Sequence, residues 1–332
     1  MDTQIPRHER VARRLLPWGS LGVGVASALL MDRGPGRALL VASAAIGCWV
    51  TLVIVLWLRR KKEEHATLLW KSAHFTTLML TQSAMQLSFF FALPFYWKAW
   101  GGALDQAVFI GVLTAAAVAS LWDPLTEWLF AHPRWAPILP GLATFSALNA
   151  VLPGLGASNS ESLWSAAMGT AVALFLLGWL RPRDTTGLDR RRTLWATAVA
   201  AAVLPIGLFV GGARAIPAAP LALVDADIGT HQRGRWVADP IERLERKPAV
   251  LMCATAIRAP LGVKESLFHV WRQDGEVRDR IELEFSGGRE LGYRTWSRKH
   301  NFGNDPRGTW SCSVETGLGQ VLGKREIVID PR

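Results

Sequence analysis

The residues best suited to binding chemistry lie in the last third of the sequence, where aromatic and basic side chains alternate. The candidate binding surface comprises His269, Trp271, Arg294, Trp296, Arg298, Lys299 and His300. An exposed indole beside a guanidinium group suits stacking on a sugar or holding an anionic group. Because successive side chains of a strand point to opposite faces, at most half of this set can share one face. The alternative is that the tryptophans are core residues and the charges face solvent.

Three amide side chains lie inside long apolar runs. Gln82 and Gln86 are four residues apart in one run, and Asn149 lies in another. A polar group in lipid is costly, so these residues mark either a polar path for a substrate or hydrogen bonds between helices. The sequence favours the second interpretation. No charged residue lies in the middle of an apolar run, which argues against a proton-coupled transporter or ion pump.

Asp123 and Glu127, with His132 nearby, are the one group outside the last third that could form part of a metal or acid–base site. Pro124 favours instead a turn with solvated carboxylates. The sequence contains none of the motifs GxSxG, HExxH or GxxxxGK[ST]. We therefore assign no catalytic residue, cofactor or metal ligand, and the sequence favours a non-enzymatic protein.

Long uncharged runs dominate the first 214 residues and predict membrane spans, since about 20 apolar residues cross a bilayer. We predict an α-helical membrane bundle of about seven transmembrane helices in residues 15–214, after a polar tail at 1–14. The predicted spans cover residues 15–31, 38–58, 75–97, 107–122, 136–152, 163–180 and 194–213. The first run also has features of a secretory signal, but the spans that follow it favour a retained helix.

The net charge of +10 is concentrated in the loops of the apolar part. Nearly all of these basic residues fall on one side of the predicted bundle, which is the positive-inside pattern and argues against nucleic-acid binding. It predicts a multi-pass protein of the bacterial inner membrane, with a cytoplasmic N-terminus and a periplasmic C-terminal domain. The expected partners are the lipid bilayer, an envelope protein or glycan, and a second copy of the chain.

Residues 249–332 carry short alternating runs that predict an all-β, sandwich-like domain after a linker at 215–248. Ile281, Leu283 and Phe285, for example, alternate with glutamates, as in a half-buried strand. Cys253 and Cys312 both fall on predicted strands. They are either a disulfide, if the domain is exported, or two buried free thiols.

These strands also carry a resemblance to a known family. The stretches IRAPLGVKESLFHVWRQDG and IELEFSGGRELGYRTWSRKHNFGNDPRGTWSCSVETGLGQVLGKREIVI resemble the bacterial DUF2914 domain. The upstream segments FFFALPFYW and LWDPL are similar to the DUF5924 membrane region. Both families are of unknown function, so the resemblance implies the architecture and supplies no catalytic residues.

Two main hypotheses on function follow. In the first, the chain is not an enzyme, and its extracytoplasmic β domain binds a partner protein or an envelope glycan. In the second, it is a transporter, channel or lipid-handling protein in which the β domain gates or receives the substrate. A membrane-embedded enzyme that uses Asp123, Glu127 and His132 is a third hypothesis.

Overall fold

The structure is a computed structural model that describes residues 68–132, 135, 138–180, 187–210, 212–263 and 265–331, together with positions 18, 22, 47, 50 and 54. The chain divides into two compact units. Unit 1 contains Met1–Pro94, Gly111–Val151 and Leu163–Val210. Unit 2 contains Phe95–Ile110, Leu152–Ser162 and Gly211–Arg332.

The structure gives the bounds of six α-helices. They are α1 (Leu68–Lys98), α2 (Leu104–Ser120), α3 (Asp123–Ala131), α4 (Ile138–Val151), α5 (Asn159–Leu180) and α6 (Gly187–Val210). Local sequence explains where α5 begins. The Ser158 hydroxyl accepts a hydrogen bond from the Glu161 amide at 3.2 Å, and the Glu161 carboxylate accepts one from the Ser158 amide at 2.7 Å. This reciprocal pair is a capping box, which satisfies amides that the first helical turn leaves unpaired.

The predicted bundle of seven membrane helices is wrong. Among the described residues, one helical stretch is long and apolar enough to cross a membrane, namely Ile138–Leu155, with a mean hydropathy of 1.5 over 18 residues. The apolar segments Leu104–Ser120 and Leu194–Gly207 are shorter than this. α3 has only nine residues, and Pro124 stands in its first turn. The predicted spans at 15–31 and 38–58 lie almost wholly outside the described residues.

A C-terminal β domain is present. Its strands are β1 (Ala222–Gly229), β2 (Gln232–Arg233), β3 (Trp236–Val237), β4 (Arg243–Leu244), β5 (Leu251–Arg258), β6 (Leu267–Gln273), β7 (Glu276–Leu283), β8 (Tyr293–Lys299), β9 (Gly308–Thr316) and β10 (Val321–Ile329). They form a three-stranded sheet in the order β1-β5-β8, a five-stranded sheet in the order β4-β10-β9-β6-β7, and a β2-β3 hairpin. β4 pairs parallel to β10, so the β domain is mixed and not purely antiparallel.

The two larger sheets face each other across an apolar core. Cys253 on β5 contributes to the same buried cluster as Trp271 on β6 and Cys312 on β9. Cys253 and Cys312 are joined by a disulfide whose Cα atoms lie 6.5 Å apart. Of the two arrangements that the sequence left open, the structure has the disulfide, which links the three-stranded sheet to the five-stranded sheet.

The segment expected to be a linker, residues 215–248, contains four of the strands. Three of them, β2, β3 and β4, are only two residues long, so they are too short to show an alternating pattern. β1 has a register shift between Leu223 and Asp225, which interrupts the alternation that would have revealed it. β1 nevertheless pairs with β5 from Ala222 to Gly229.

Candidate functional site

The β8 strand separates the predicted binding residues into two sets. Arg294, Trp296 and Arg298 are exposed, whereas the alternate residues Thr295, Ser297 and Lys299 are buried. The period of two in a strand requires this division. We call Arg294, Trp296 and Arg298 the Arg–Trp row. It lies on the outer face of the three-stranded sheet, on the side opposite the core.

Small residues on the neighbouring strand leave the Arg–Trp row accessible. In the sheet, Ala254 of β5 is paired with Trp296, and Ala256 is paired with Arg294. Their methyl side chains cannot cover the longer side chains of β8. Trp296 therefore keeps 37% of its surface exposed.

Each arginine of the Arg–Trp row lies over an indole ring. The Arg298 guanidinium carbon is 4.9 Å from the centre of the Trp296 ring, and that of Arg294 is 5.2 Å from the centre of the Trp236 ring. The Trp236 Nε1–H donates a hydrogen bond to Asp227 at 3.1 Å, which fixes the orientation of its indole. Arg298 also donates to the Gln232 side chain. Such cation–π contacts hold long side chains in place while their charges stay in water.

The arginines around this face lack acidic partners. Among the described residues, no salt bridge is formed by Arg233, Arg235, Arg289, Arg294 or Arg298. Most basic residues of the five-stranded sheet, by contrast, are paired with carboxylates, for example Arg272 with Glu315 at 2.5 Å and Lys324 with Glu326 at 2.7 Å. The arginines around the outer face of the three-stranded sheet thus form no salt bridge in the described part of the chain, although Asp225 and Asp227 of β1 lie on the same face, opposite Ala256 and Ala254 of β5.

The buried members of the predicted surface have structural roles. The His269 ring is hydrogen-bonded to the Thr255 hydroxyl at 2.9 Å and to the Ser297 hydroxyl at 2.8 Å. Trp271 Nε1–H donates to the same Ser297 hydroxyl at 3.2 Å. Burial lowers the pKa of His269 from 6.5 to about 3, so the ring is neutral at physiological pH. These residues link the two sheets and do not contact solvent.

Lys299 is also buried, and its ammonium group lies 3.1 Å from the Asp279 carboxylate of β7. His300 is exposed just after β8. Of the predicted set, the structure therefore brings Arg294, Trp296 and Arg298 together on one exposed face, and it places His269, Trp271 and Lys299 inside the domain.

His269 also lies beside the disulfide. The ligand atoms of Cys253, His269 and Cys312 are all within 4.8 Å of one another, a spacing that a metal ion could occupy. Metal binding needs thiolates, and both sulfurs are already in the disulfide. This cluster is therefore a covalent link between sheets in the structure.

The predicted intramembrane amides are in unit 1. The side chains of Gln82 and Gln86 both donate hydrogen bonds to the Ser120 carbonyl at the end of α2, at 3.1 Å and 2.8 Å. They join α1 to α2, as expected for amides that hold helices together. Asn149 is fully buried on α4.

The third predicted group is centred on α3. Asp123 and Glu127 belong to this helix, and His132 follows its end. The exposed His132 ring lies 4.5 Å from the Trp128 ring, and its Nδ1–H donates to the Trp128 carbonyl at 2.7 Å. His132 thus makes a local contact with its own helix.

Two features of unit 2 were not expected from the sequence. Trp236 lies in the segment that was predicted to be a linker. The sequence around it gave no indication of a role beyond the presence of a tryptophan among polar residues. Glu265 lines an open pocket of about 420 Å³ with Ser158, Ser160, Ser266, Gly317 and Leu318. Burial raises the pKa of Glu265, and its carboxylate accepts a hydrogen bond from the Asn159 amide at 2.7 Å. Glu265 thereby caps the first turn of α5.

The fold and the site define a helical protein with a β domain. A disulfide joins the two larger sheets of this domain, and one of its faces exposes arginine and tryptophan side chains. Residues 3–247 match the family model of DUF5924, a family of unknown function. Residues 264–328 match the family model of DUF2914, described as a protein of unknown function. The chain belongs to the DUF5924 family and carries a DUF2914 domain after it. No curated protein and no solved structure matches the chain.

Proposed function

We propose that the chain is a non-enzymatic protein of the bacterial cytoplasmic membrane whose β domain binds an acidic envelope glycan in the periplasm. The observation that carries the proposal is the Arg–Trp row. It combines an exposed indole with two guanidinium groups that form no salt bridge among the described residues. Stacking on the indole suits a sugar ring, and the guanidinium groups suit its carboxylates.

The surface of unit 1 supports the membrane location. α5 exposes Trp164, Met168, Val172 and Phe175, and α6 exposes Trp195, Val199, Val203 and Ile206. The spacing of three or four residues places each set on one face of its helix. Polar side chains are buried in the same unit, including Gln86, Ser146 and Thr170. Apolar residues outside and polar residues inside suit a lipid environment and not water.

The disulfide supports the periplasmic location of the β domain. Disulfides persist in oxidising compartments such as the periplasm and are rare in the cytosol. The basic residues in the loops of the helical part favour a cytoplasmic position for those loops. A reporter enzyme that is active only outside the cytoplasm, fused after residue 332, should therefore be active. Activity of a reporter that requires the cytoplasm would reject this location.

Buried titratable groups support a non-enzymatic role. In the described part of the β domain, His269 of the five-stranded sheet bonds to two hydroxyl groups of the three-stranded sheet, Glu265 caps α5, and Lys299 pairs with Asp279. Each group thus has a structural partner. None of these arrangements places a nucleophile beside a general base.

Ligand binding can be measured with the full chain in detergent. The probes are a linear oligogalacturonate, which has one carboxylate on each sugar, the neutral sugar chain maltotetraose, and polyphosphate, which has charge without rings. We expect binding of oligogalacturonate and no binding of maltotetraose. Trp296→Ala should weaken oligogalacturonate binding several-fold and leave polyphosphate binding nearly unchanged.

The matched control is a pair of exposed arginines on the five-stranded sheet. Arg294→Gln with Arg298→Gln should abolish oligogalacturonate binding, whereas Arg278→Gln with Arg325→Gln should leave it intact. Equal loss in both double variants would mean that only net charge matters, and the proposal would be rejected.

A further inference from the structure

Two leucines are the most exposed large apolar residues in the described part of the β domain. Leu261 is 77% exposed and Leu291 is 86% exposed. The two residues lie in adjacent loops, because the Leu261 side chain packs against Gly288 in the loop that carries Leu291. A single exposed leucine is ordinary, but a pair on neighbouring loop tips forms a small apolar projection.

Strand pairing places both loops at the same end of the sandwich. The end of β5 at Arg258 is opposite the start of β1 at Ala222, and Ile257 is opposite the start of β8 at Tyr293. In the other sheet, Leu267 at the start of β6 is opposite Thr316 at the end of β9. The loop 259–266, which connects β5 to β6, and the loop 284–292, which leads to β8, therefore leave this one end.

Within unit 2, the same end contacts the termini of helices. Loop 259–266 contains both Leu261 and Glu265, and Glu265 accepts the hydrogen bond from the Asn159 amide at the start of α5. Gln106, in the first turn of α2, donates to the Val321 carbonyl at the start of β10 at 2.9 Å. The chain also enters β1 at this end, directly after α6 and the short helix Gly212–Ala215.

Further apolar side chains are exposed at the end of α1, at the start of α2 and in the turn before α5. Their exposed fractions are 54% for Trp97, 42% for Trp100, 81% for Leu104 and 59% for Leu155. Tryptophan at the end of a helix is characteristic of the boundary between membrane and water. Leu261 and Leu291 therefore lie on the end of the β domain that carries the exposed groups of a membrane interface.

We infer that this end of the β domain rests on the outer leaflet of the membrane, with Leu261 and Leu291 inserted among the phospholipid headgroups. The inference rests on the membrane location proposed above and is independent of the glycan proposal. Arg258 and Arg289 are exposed close to the leucines in the sequence, and so is Glu290; the two guanidinium groups can pair with lipid phosphates. Shallow insertion of apolar side chains flanked by cations is a common mode of binding at membrane surfaces.

The test uses the full chain in vesicles of phosphatidylethanolamine and phosphatidylglycerol that contain brominated lipid. Cys48 is replaced by alanine, the Cys253–Cys312 disulfide is kept, and a bimane fluorophore is attached to Leu261→Cys or Leu291→Cys. Bromine quenches only fluorophores that reach the lipid. The control is Val277→Cys, because Val277 is 59% exposed beside the β6–β7 turn, at the opposite end of the sandwich.

A second control, Val172→Cys, lies on the exposed apolar face of α5 and reports on membrane insertion itself. We expect strong quenching at positions 172, 261 and 291, at least several-fold greater than at 277. Quenching at 172 alone would overturn the inference and leave the membrane location intact. No quenching at 172 would overturn both. A blue-shifted but unquenched signal at 261 and 291 would show that another protein copy covers the leucines, which also overturns the inference.

Discussion

The side-chain amide of Asn159 donates a hydrogen bond to the Gln320 side chain, which lies 161 residues further along the chain. Gln320 in turn donates to the Ile216 carbonyl at 2.5 Å and accepts from the Thr316 hydroxyl at 3.1 Å. Asn159 lies in the DUF5924 region and Gln320 in the DUF2914 region. The two family regions therefore share one buried hydrogen-bond network within unit 2.

Gln320→Ala should destabilise unit 2. The substitution leaves the Asn159 amide and the Ile216 carbonyl buried without their partner, and each unsatisfied buried group costs about 1–3 kcal/mol. Thermal unfolding of the detergent-solubilised chain should begin several degrees lower than in the parent. Gln232→Ala, which changes an exposed glutamine on β2, should have little effect. Equal melting temperatures for the two variants would contradict a stabilising role for the network.

Replacing Cys253 and Cys312 together by alanine should cost about 2–4 kcal/mol, the usual contribution of a disulfide that closes a long loop. The parent should melt at a lower temperature when dithiothreitol is added, and the double variant should not respond to it. Calorimetry with and without the reductant measures both effects. If unfolded, unreduced parent protein reacted with maleimide at both positions, the thiols would be free and the prediction would fail.

His269 should make the β domain sensitive to acid. The folded ring has a pKa of about 3, below the ordinary 6.5, so protons bind preferentially to the unfolded chain. The contribution of His269 to the free energy of unfolding is fully present above pH 6.5. It is lost as the pH falls toward 3, at up to about 1.4 kcal/mol per pH unit. Chemical denaturation across this range measures the slope.

His269→Gln should flatten that slope, since a glutamine does not titrate. The control is His300→Gln, which removes an exposed histidine just beyond β8 and should preserve the parent's pH dependence. An unchanged slope in His269→Gln would show that other groups cause the acid sensitivity.

Gly101→Ala should strongly impair folding, because the added Cβ would lie 2.1 Å from the Val321 carbonyl oxygen. The clash is with backbone, which cannot move away as a side chain can. Gly154→Ala is the matched control in the same unit, since an added Cβ there meets no atom within 4 Å. The yield of monodisperse protein and its melting temperature compare the two. Similar values for both variants would show that β10 does not approach Gly101 closely.

The sequence predicted secondary structure best where apolar and polar residues alternate with the period of two that is typical of a strand. The alternation in β7 and β8 predicted the strands, and it limited how many binding residues could share a face. Residue type alone did not tell which face was exposed. His269 and Trp296 have similar polar–aromatic surroundings in the sequence, yet the facing sheet buries one and leaves the other accessible.

Other features depend on contacts between distant residues. Nothing near Asn159 or Gln320 signals that they bond, and strands of two residues such as β3 have no period to detect. The membrane helices were counted from apolar runs, but among the described residues only the stretch Ile138–Leu155 is both long and apolar enough to cross a membrane. α3, which is only nine residues long from Asp123 to Ala131, shows how a proline in the first turn can separate two apolar segments.

The position of β1 has a consequence for how the chain can be divided. β1 lies in the DUF5924 region, yet it covers one edge of β5, pairing with it from Ala222 to Gly229. A fragment that begins at residue 249 would carry the whole DUF2914 segment but would leave this edge of β5 without its hydrogen-bond partners. Such an open edge recruits strands from other molecules. We therefore expect a fragment that begins at residue 249 to be prone to aggregation, and a stable C-terminal unit to begin before β1.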